Sequence, residues 1–252
     1  MGGSINTNST HGSSNFDGSI QCTISHNSAA GFSIVRYSGT GSAATIGHEL
    51  GAKPHFIMWK NLDAATDWRV YHYRTTGTDG QRSYRLNSND YYNTDNSIMN
   101  DTAPGTLVAT LGSSTSTNAS GQDIVAYFFT TKDGFSNFGS YTGNFNADGK
   151  FIYTGFKPSF VMVKKEGASG SWRMFDTVRA DSENPADKWL DAHSNSGGVG
   201  STDVQADLVS NGIKLRDAAN AFNTDGTTYL LIAFGQSIVG GDTTQNIPAT
   251  AR

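Results

Sequence analysis

The sequence repeats itself once, with about 104 residues between equivalent positions. At this spacing, a Gly-x-Lys-Pro-x-Phe segment at 51–56 aligns with the same pattern at 155–160. Matches continue in order on both sides: Tyr37 with Tyr141, Gly39 with Gly143, Met58 with Met162, Lys60 with Lys164, Trp68 with Trp172, and Arg69 with Arg173. With a shift of one residue, Asn118, Gly121 and Phe129 meet Asn223, Gly226 and Phe234. A repeat of this length predicts that both halves adopt the same fold.

Each copy has the sequence pattern of a β domain. The runs Phe56–Lys60 and Phe160–Lys164 are apolar on both faces, which is typical of a central strand covered on both sides. Turns rich in Gly and Asn separate such short segments. We therefore predict an all-β fold of two antiparallel sandwich-like repeats, at 31–133 and 134–235, packed together with pseudo-twofold symmetry. The predicted core anchors are the repeat-equivalent aromatic residues Phe56, Trp68, Phe160 and Trp172.

Polar segments flank the two copies. Residues 1–30 and 236–252 are rich in Ser, Asn, Thr and Gly, and only Ser19–Ile24 alternates like a strand. Such segments have too few apolar residues for a core of their own, so contacts elsewhere must offset the entropy lost on ordering. We expect an N-terminal arm and a C-terminal tail that order against a partner, with 19–24 pairing with a sheet edge of its own chain or a neighbour.

Composition and charge exclude several classes of protein. Ser, Thr, Asn and Gly make up 104 of the 252 residues, and only three are Glu, which is unlike a helical bundle. The longest apolar run, Tyr229–Phe234, is far shorter than the roughly 20 residues of a membrane span. A net charge of −4 without a basic run argues against a nucleic-acid partner. The single Cys22 excludes an intrachain disulfide framework.

No catalytic or cofactor-binding motif is found in the sequence. The turn at 143–150 lacks the spacing of a phosphate-binding loop, and no Gly-x-Ser-x-Gly segment occurs. The six histidines are never two or four residues apart, so no local metal-binding pair is present. Most Asp residues adjoin Gly or Asn and are expected to cap turns, although a glycosidase-type pair of carboxylates stays open. We predict a protein that is not an enzyme and has no catalytic residue, metal or cofactor.

One loop concentrates oxygen-bearing and aromatic side chains. Its candidate contact residues are Asn89, Asp90, Tyr91, Tyr92, Asn93 and Asp95. This set suits a glycan or a protein partner, and less well calcium, because the EF-hand spacing is absent. The alternative is a solvated surface turn. Trp189, in an irregular segment, is predicted to be an exposed tryptophan and is added to the candidate contacts, whereas Trp59 is predicted to be buried.

Several ordered segments resemble a known family. They are 31–41, 46–51 followed by Lys53-Pro54, 67–72, 119–127, 134–143 and 210–216. Together they resemble an uncharacterised repeat domain of tailed-phage virion proteins, especially marine ones, that are usually described as tail fibre or minor tail proteins. The resemblance covers residues 31–234. The chain departs from that family after Phe234, where a Gly-Gln-Ser-Ile segment replaces the acidic residue and proline that often follow.

The resemblance implies a structural protein exposed on a phage particle, on the tail rather than the capsid. Its role there is a tail fibre, a spike or a minor tail component, with contact to the host receptor left open. The implied partners are other virion proteins, a host surface glycan and further copies of the chain, the trimer being commonest among phage fibres. The alternatives are a capsid decoration or head fibre protein, a carbohydrate-binding lectin, and an enzyme such as a depolymerase.

Overall fold

The protein is built from antiparallel β-strands. The computed structural model describes residues 4–8, 12–77, 80–179, 184–194, 197–198, 205–218, 221–237, 239–240 and 247–248. Every described strand ladder is antiparallel. This confirms the predicted all-β fold. The two described helices have four residues each, and neither could cross a bilayer.

The chain forms two compact units. The first contains Met1–Asn87 and Tyr92–Thr130, and the second contains Ser88–Tyr91 and Thr131–Arg252. The predicted repeats at 31–133 and 134–235 therefore correspond to the main parts of the two units. One short segment, Ser88–Tyr91, belongs to the second unit although it lies within the first copy of the sequence.

The first unit has a large sheet and a small sheet. Its elements are β1 (Ser4–Asn8), β2 (Gly12–Asn15), β3 (Cys22–Asn27), β4 (Phe32–Ser38), β5 (Ala44–Gly47), β6 (Phe56–Asn61), β7 (Arg69–His72), β8 (Arg82–Arg85), β9 (Asn93–Thr94), α1 (Asn96–Met99), β10 (Val108–Leu111), α2 (Thr115–Asn118) and β11 (Asp123–Phe129). The large sheet has the order β1-β2-β3-β4-β11-β6-β7-β8-β9, and the small sheet pairs β10 with β5.

The second unit has the same two layers. Its strands are β12 (Ser136–Thr142), β13 (Phe151–Tyr153), β14 (Phe156–Lys165), β15 (Trp172–Asp176), β16 (Trp189–Asp191), β17 (Gly197–Gly198), β18 (Ala206–Val209), β19 (Gly212–Leu215), β20 (Thr228–Ser237), β21 (Val239–Gly240) and β22 (Ile247–Pro248). The large sheet has the order β12-β20-β14-β15-β16-β17, the small sheet has the order β13-β19-β18, and β21 pairs with β22.

The duplication is visible in the strand order. Strands β4-β11-β6-β7-β8-β9 of the first unit follow the same order as β12-β20-β14-β15-β16-β17 of the second. Pairing between strands is also equivalent, because Phe56 lies opposite Phe129 and Phe160 lies opposite Phe234. The repeat found in the sequence therefore encodes the same order of six strands in the large sheet of each unit.

A buried apolar cluster fills the space between the two sheets of each unit. In the first unit, Trp59 of the large sheet shares a cluster with Ile46 of the small sheet. In the second unit, Val163 shares a cluster with Ile213 in the same way. Each unit is thus a two-layer sandwich, with the alternating apolar residues of both sheets turned inward.

Two buried asparagines hold equivalent turns. The side chains of Asn118 and Asn223 have no exposed surface. Each Nδ2 donates to two backbone carbonyls, at 2.6 and 2.7 Å for Asn118 and at 3.0 and 2.6 Å for Asn223. Each Oδ1 accepts a backbone N–H, at 2.8 and 2.9 Å. The carbonyls belong to Ser42 and Gly112 for Asn118, and to Asn146 and Asp217 for Asn223.

Part of the predicted N-terminal arm belongs to the first unit. Strand β3 pairs with β4 through Thr23–Asn27, and Ile20, Cys22 and Ile24 are buried in the first core. Of the two pairings predicted for 19–24, with a sheet edge of its own chain or of a neighbour, the structure shows the first, and the alternating apolar side chains of this segment join a core within the chain. Of the predicted tail, 238, 241–246 and 249–252 lie outside the described residues.

The four predicted core anchors differ in burial. Phe56 and Trp172 are buried, as predicted. Trp68 and Phe160 are only half-buried. The Trp68 ring stacks on Tyr127 with the ring centroids 6.3 Å apart, and Phe160 packs beside Phe234 at 6.4 Å. Equivalent sequence positions therefore need not be equally buried.

Candidate functional site

The polar loop predicted as a contact site is divided between the two units. Asn89, Asp90 and Tyr91 belong to the second unit, whereas Tyr92, Asn93 and Asp95 belong to the first. Tyr91 is exposed, and Tyr92 lies under the Arg82 guanidinium, whose carbon is 4.0 Å from the ring centroid. Asn93 is part of β9, and the Asp95 carboxylate caps helix α1 by accepting the Ser97 N–H at 2.9 Å. The contacts of Tyr92 and Asp95 belong to the local fold of the first unit.

A buried lysine explains the position of Asn89 and Asp90. The Lys164 side chain has no exposed surface, and its ammonium donates to the carbonyls of Asn89, at 3.1 Å, and Asp90, at 2.6 Å. It also donates to the Gly170 carbonyl. Burial lowers the pKa of Lys164 to about 8, with the Asp90 carboxylate acting in the opposite direction. Lys164 therefore holds the loop at Ser88–Tyr91 in the second unit by hydrogen bonds.

Trp189 is not the exposed ring that the sequence predicted. It is half-buried and packs against the second core. The Arg173 guanidinium carbon lies 3.7 Å from its ring centroid, and Arg173 Nε donates to Asp191 Oδ1 at 3.2 Å. One face of the ring is therefore covered by a cation that is itself paired.

The described residues hold no group of three or more His, Cys, Asp or Glu side chains arranged to bind a metal ion. His48 is buried, and its Nδ1 accepts the Leu50 N–H while its Nε2 lies 3.3 Å from the Gly105 carbonyl. Burial lowers the pKa of His48 to about 4, so the imidazole is neutral. This histidine supports the fold of the first unit.

The small sheet of the second unit carries an exposed aromatic pair. Phe151 and Tyr153 lie on the outer face of β13, with 47% and 67% of their surface exposed, while Ile152 between them faces the core. The Phe151 ring lies over Gly212, where an added methyl group would come within 2.7 Å of the ring. Exposed aromatic rings on a rigid strand are typical of binding surfaces.

An ionic row adjoins these rings on the same face. Lys214 lies opposite Phe151 on β19, and Asp207 lies opposite Lys214 on β18. The Lys214 ammonium is 2.8 Å from Asp148, and Arg216 Nε donates to Asp207 at 2.6 Å. The hydrogen bond from Lys214 lowers the pKa of the Asp148 carboxyl. We call Phe151, Tyr153 and these four charged residues the aromatic–ionic surface.

The first unit differs at the equivalent positions. Ile46 in β5 corresponds to Ile152 in β13, because each is buried opposite the second residue of its partner strand. Phe151 and Tyr153 therefore occupy the positions of Thr45 and Gly47. In the first unit the chain itself covers this edge: the Ile20 N–H donates to the Thr45 carbonyl at 3.0 Å. A methyl group added at Gly47 would lie 2.0 Å from the Asn15 amide oxygen.

A family model described as Domain of unknown function (DUF7483) matches residues 6–237. The chain belongs to this family. Comparison with curated proteins and with solved structures finds no match. The family match includes β3, in agreement with the observation that this strand is part of the first unit.

The aromatic–ionic surface combines exposed rings with ion-paired side chains on one face of the small sheet. Its rings offer apolar contact area, and its ion pairs offer hydrogen-bonding groups at the rim. Sequence reasoning missed this surface, although the Phe-Ile-Tyr alternation at 151–153 was a signal of a strand with one aromatic face. It also missed Lys164, because two of the carbonyls that accept hydrogen bonds from its ammonium, those of Asn89 and Asp90, are more than 70 residues away in the chain.

Proposed function

We propose that the DUF7483 domain is a structural protein exposed on a bacteriophage particle, as a tail fibre, spike or minor tail component. In this role it works by contact with other virion proteins and with the host surface, and it performs no chemical step. The resemblance of its ordered segments to virion repeat domains supports the phage assignment.

One observation about the surface supports a binding role. The buried asparagines Asn118 and Asn223 make equivalent hydrogen bonds in the two copies. The aromatic–ionic surface is present only where Phe151 and Tyr153 replace Thr45 and Gly47. A duplicated scaffold with one altered exposed face suits a protein whose second unit binds a partner.

The virion assignment is tested by labelling intact particles. Gold-labelled antibody raised against the purified protein is expected to decorate the tail of the phage that encodes it. Antibody depleted on the purified protein is the control. Label on the head alone would favour the capsid alternative, and particles that contain none of this protein would refute the proposal.

A lectin is the second candidate, because the exposed Tyr153 ring shares the outer face of the small sheet with the ion pair of Lys214 and Asp148. An exposed ring with hydrogen-bonding neighbours can stack on a sugar. Titration calorimetry with host surface polysaccharides separates the two candidates. Saturable binding that Tyr153→Ala abolishes favours the lectin, and its absence favours a purely protein-binding role. In the same mixtures we expect no new reducing ends, since depolymerisation would mean that the protein is an enzyme.

A further inference from the structure

Strand β13 exposes one of its edges. It lies at the end of the small sheet of the second unit, and no strand pairs with its outer side among the residues that the structure describes. The flanking residues are hydrogen-bonded on the inner side: the Lys150 carbonyl accepts the Leu215 N–H of β19, and the Thr154 N–H donates to the Asn211 carbonyl just before β19. Because direction alternates along a strand, the N–H and C=O groups of Phe151 and Tyr153 point to the outer side.

The first unit shows what covers such an edge. There, Thr45 has the equivalent outward backbone groups, and Ser19 and Ile20 hydrogen-bond to both of them. The Ile20 N–H donates to the Thr45 carbonyl at 3.0 Å, and the Thr45 N–H donates to Ser19 Oγ at 2.8 Å. In the second unit, the residues that precede the copy already form β11 of the first unit. The chain therefore supplies no equivalent upstream segment.

The edge of β13 is complementary to itself. If two copies of β13 align antiparallel about a twofold axis at Ile152, Phe151 of each copy lies opposite Tyr153 of the other. Both pairs are then hydrogen-bonded pairs, so the four outward N–H groups meet the four outward carbonyls. The aromatic rings of the two copies also lie on the same face, as favourable cross-strand pairs.

We infer that two copies of this chain associate through β13, joining their small sheets into one antiparallel sheet across a twofold axis. The occupant of the open edge is thus a second copy of the chain. This inference names a partner for the aromatic–ionic surface and rests on the proposed use of that surface for protein contacts. The contact is twofold and differs from the trimer that the family resemblance implies.

The test is the mass of the full chain in solution, measured by sedimentation velocity over a range of concentrations. We expect a concentration-dependent species of twice the 26.9 kDa chain mass. Tyr153→Ala should raise the dissociation constant of this dimer by roughly tenfold to a hundredfold, because two aromatic pairs are lost by symmetry. Tyr153→Pro should weaken it further, since proline removes an N–H that points away from β19.

Two controls keep the result unambiguous. Leu107→Ala removes an exposed apolar side chain of the first unit and should leave the dimer unchanged. If Tyr153→Pro fails to give the wild-type circular dichroism spectrum, the double variant Phe151→Ser/Tyr153→Ser replaces it. A wild-type monomer at all concentrations, a trimer, or a dimer that both β13 variants leave intact would overturn the inference. Particle labelling is independent of this measurement, so failure of the virion assignment is seen separately.

Discussion

At the residue scale, His48 shows how burial decides the chemistry of a side chain. Its ring is buried beside Phe128, with the ring centroids 5.2 Å apart, and both ring nitrogens face backbone groups of the first unit. A histidine in such a setting is a poor candidate for a proton shuttle or a metal ligand. It is instead a source of pH-dependent stability.

We expect the first unit to lose stability as the pH falls from about 6.5 to about 4. In this range the unfolded chain takes up a proton on His48, whereas the folded chain, with a His48 pKa of about 4, does not. The loss should reach about 3 kcal/mol at the acid end. Urea unfolding at several pH values measures it, and His48→Gln should remove this part of the slope. An unchanged slope in the variant would contradict the assignment.

The two repeat-equivalent tryptophans should differ in their contribution to stability. Trp172→Ala is expected to lower the free energy of unfolding by about 3–5 kcal/mol, because the ring is completely buried. Trp68→Ala should cost less than about 2 kcal/mol, since its ring is half-buried and stacks on Tyr127. Denaturant unfolding of both variants checks the contrast. Equal losses would show that burial does not separate the two positions.

At the scale of the single element, the loop at Ser88–Tyr91 depends on one side chain. We expect Lys164→Met to destabilise the second unit by about 1–3 kcal/mol, because the carbonyls of Asn89, Asp90 and Gly170 lose their shared donor. Lys60→Met is the matched control, since the equivalent Lys60 ammonium donates to the Thr66 carbonyl and is only half-buried. Faster hydrogen exchange at 88–91 should accompany the first change and not the second. Similar effects of both substitutions would argue against the role of Lys164.

At this scale, the strands could be predicted from the sequence, but their burial against other segments could not. The short apolar runs predicted strands correctly, since alternation and β-branched residues report directly on local structure. They could not show that Ile20 and Ile24 enter the first core, because the surrounding segment is polar and its pairing with β4 is a property of the folded sheet. Nor could they show which face of Phe151–Tyr153 is exposed, since that depends on whether another segment covers the edge.

At the scale of the whole molecule, the duplication predicts that the two equivalent buried asparagines contribute equally to the free energy of unfolding. Asn118→Ala and Asn223→Ala should each lower the free energy of unfolding by about 2–4 kcal/mol, because each removes three hydrogen bonds that a fully buried side chain makes to backbone groups. Asn→Asp at either position keeps the acceptor and loses both donors, and should also destabilise. Thermal unfolding of the variants at positions 118 and 223 measures the loss of stability at each position. A large loss at one asparagine and none at the other would mean that the two turns are not equivalent.

The connection made by Lys164 has a consequence for the history of the gene. A tandem duplication begins with two interchangeable copies, and recombination at their junction can delete one without harm to the other. In this protein, Lys164 of the second copy donates to the carbonyls of Asn89 and Asp90, which are encoded inside the first copy. A deletion that removed the first copy would leave the buried ammonium with the Gly170 carbonyl and without the other two acceptors. Because of this loop, a return to a single-copy gene would destabilise the remaining unit.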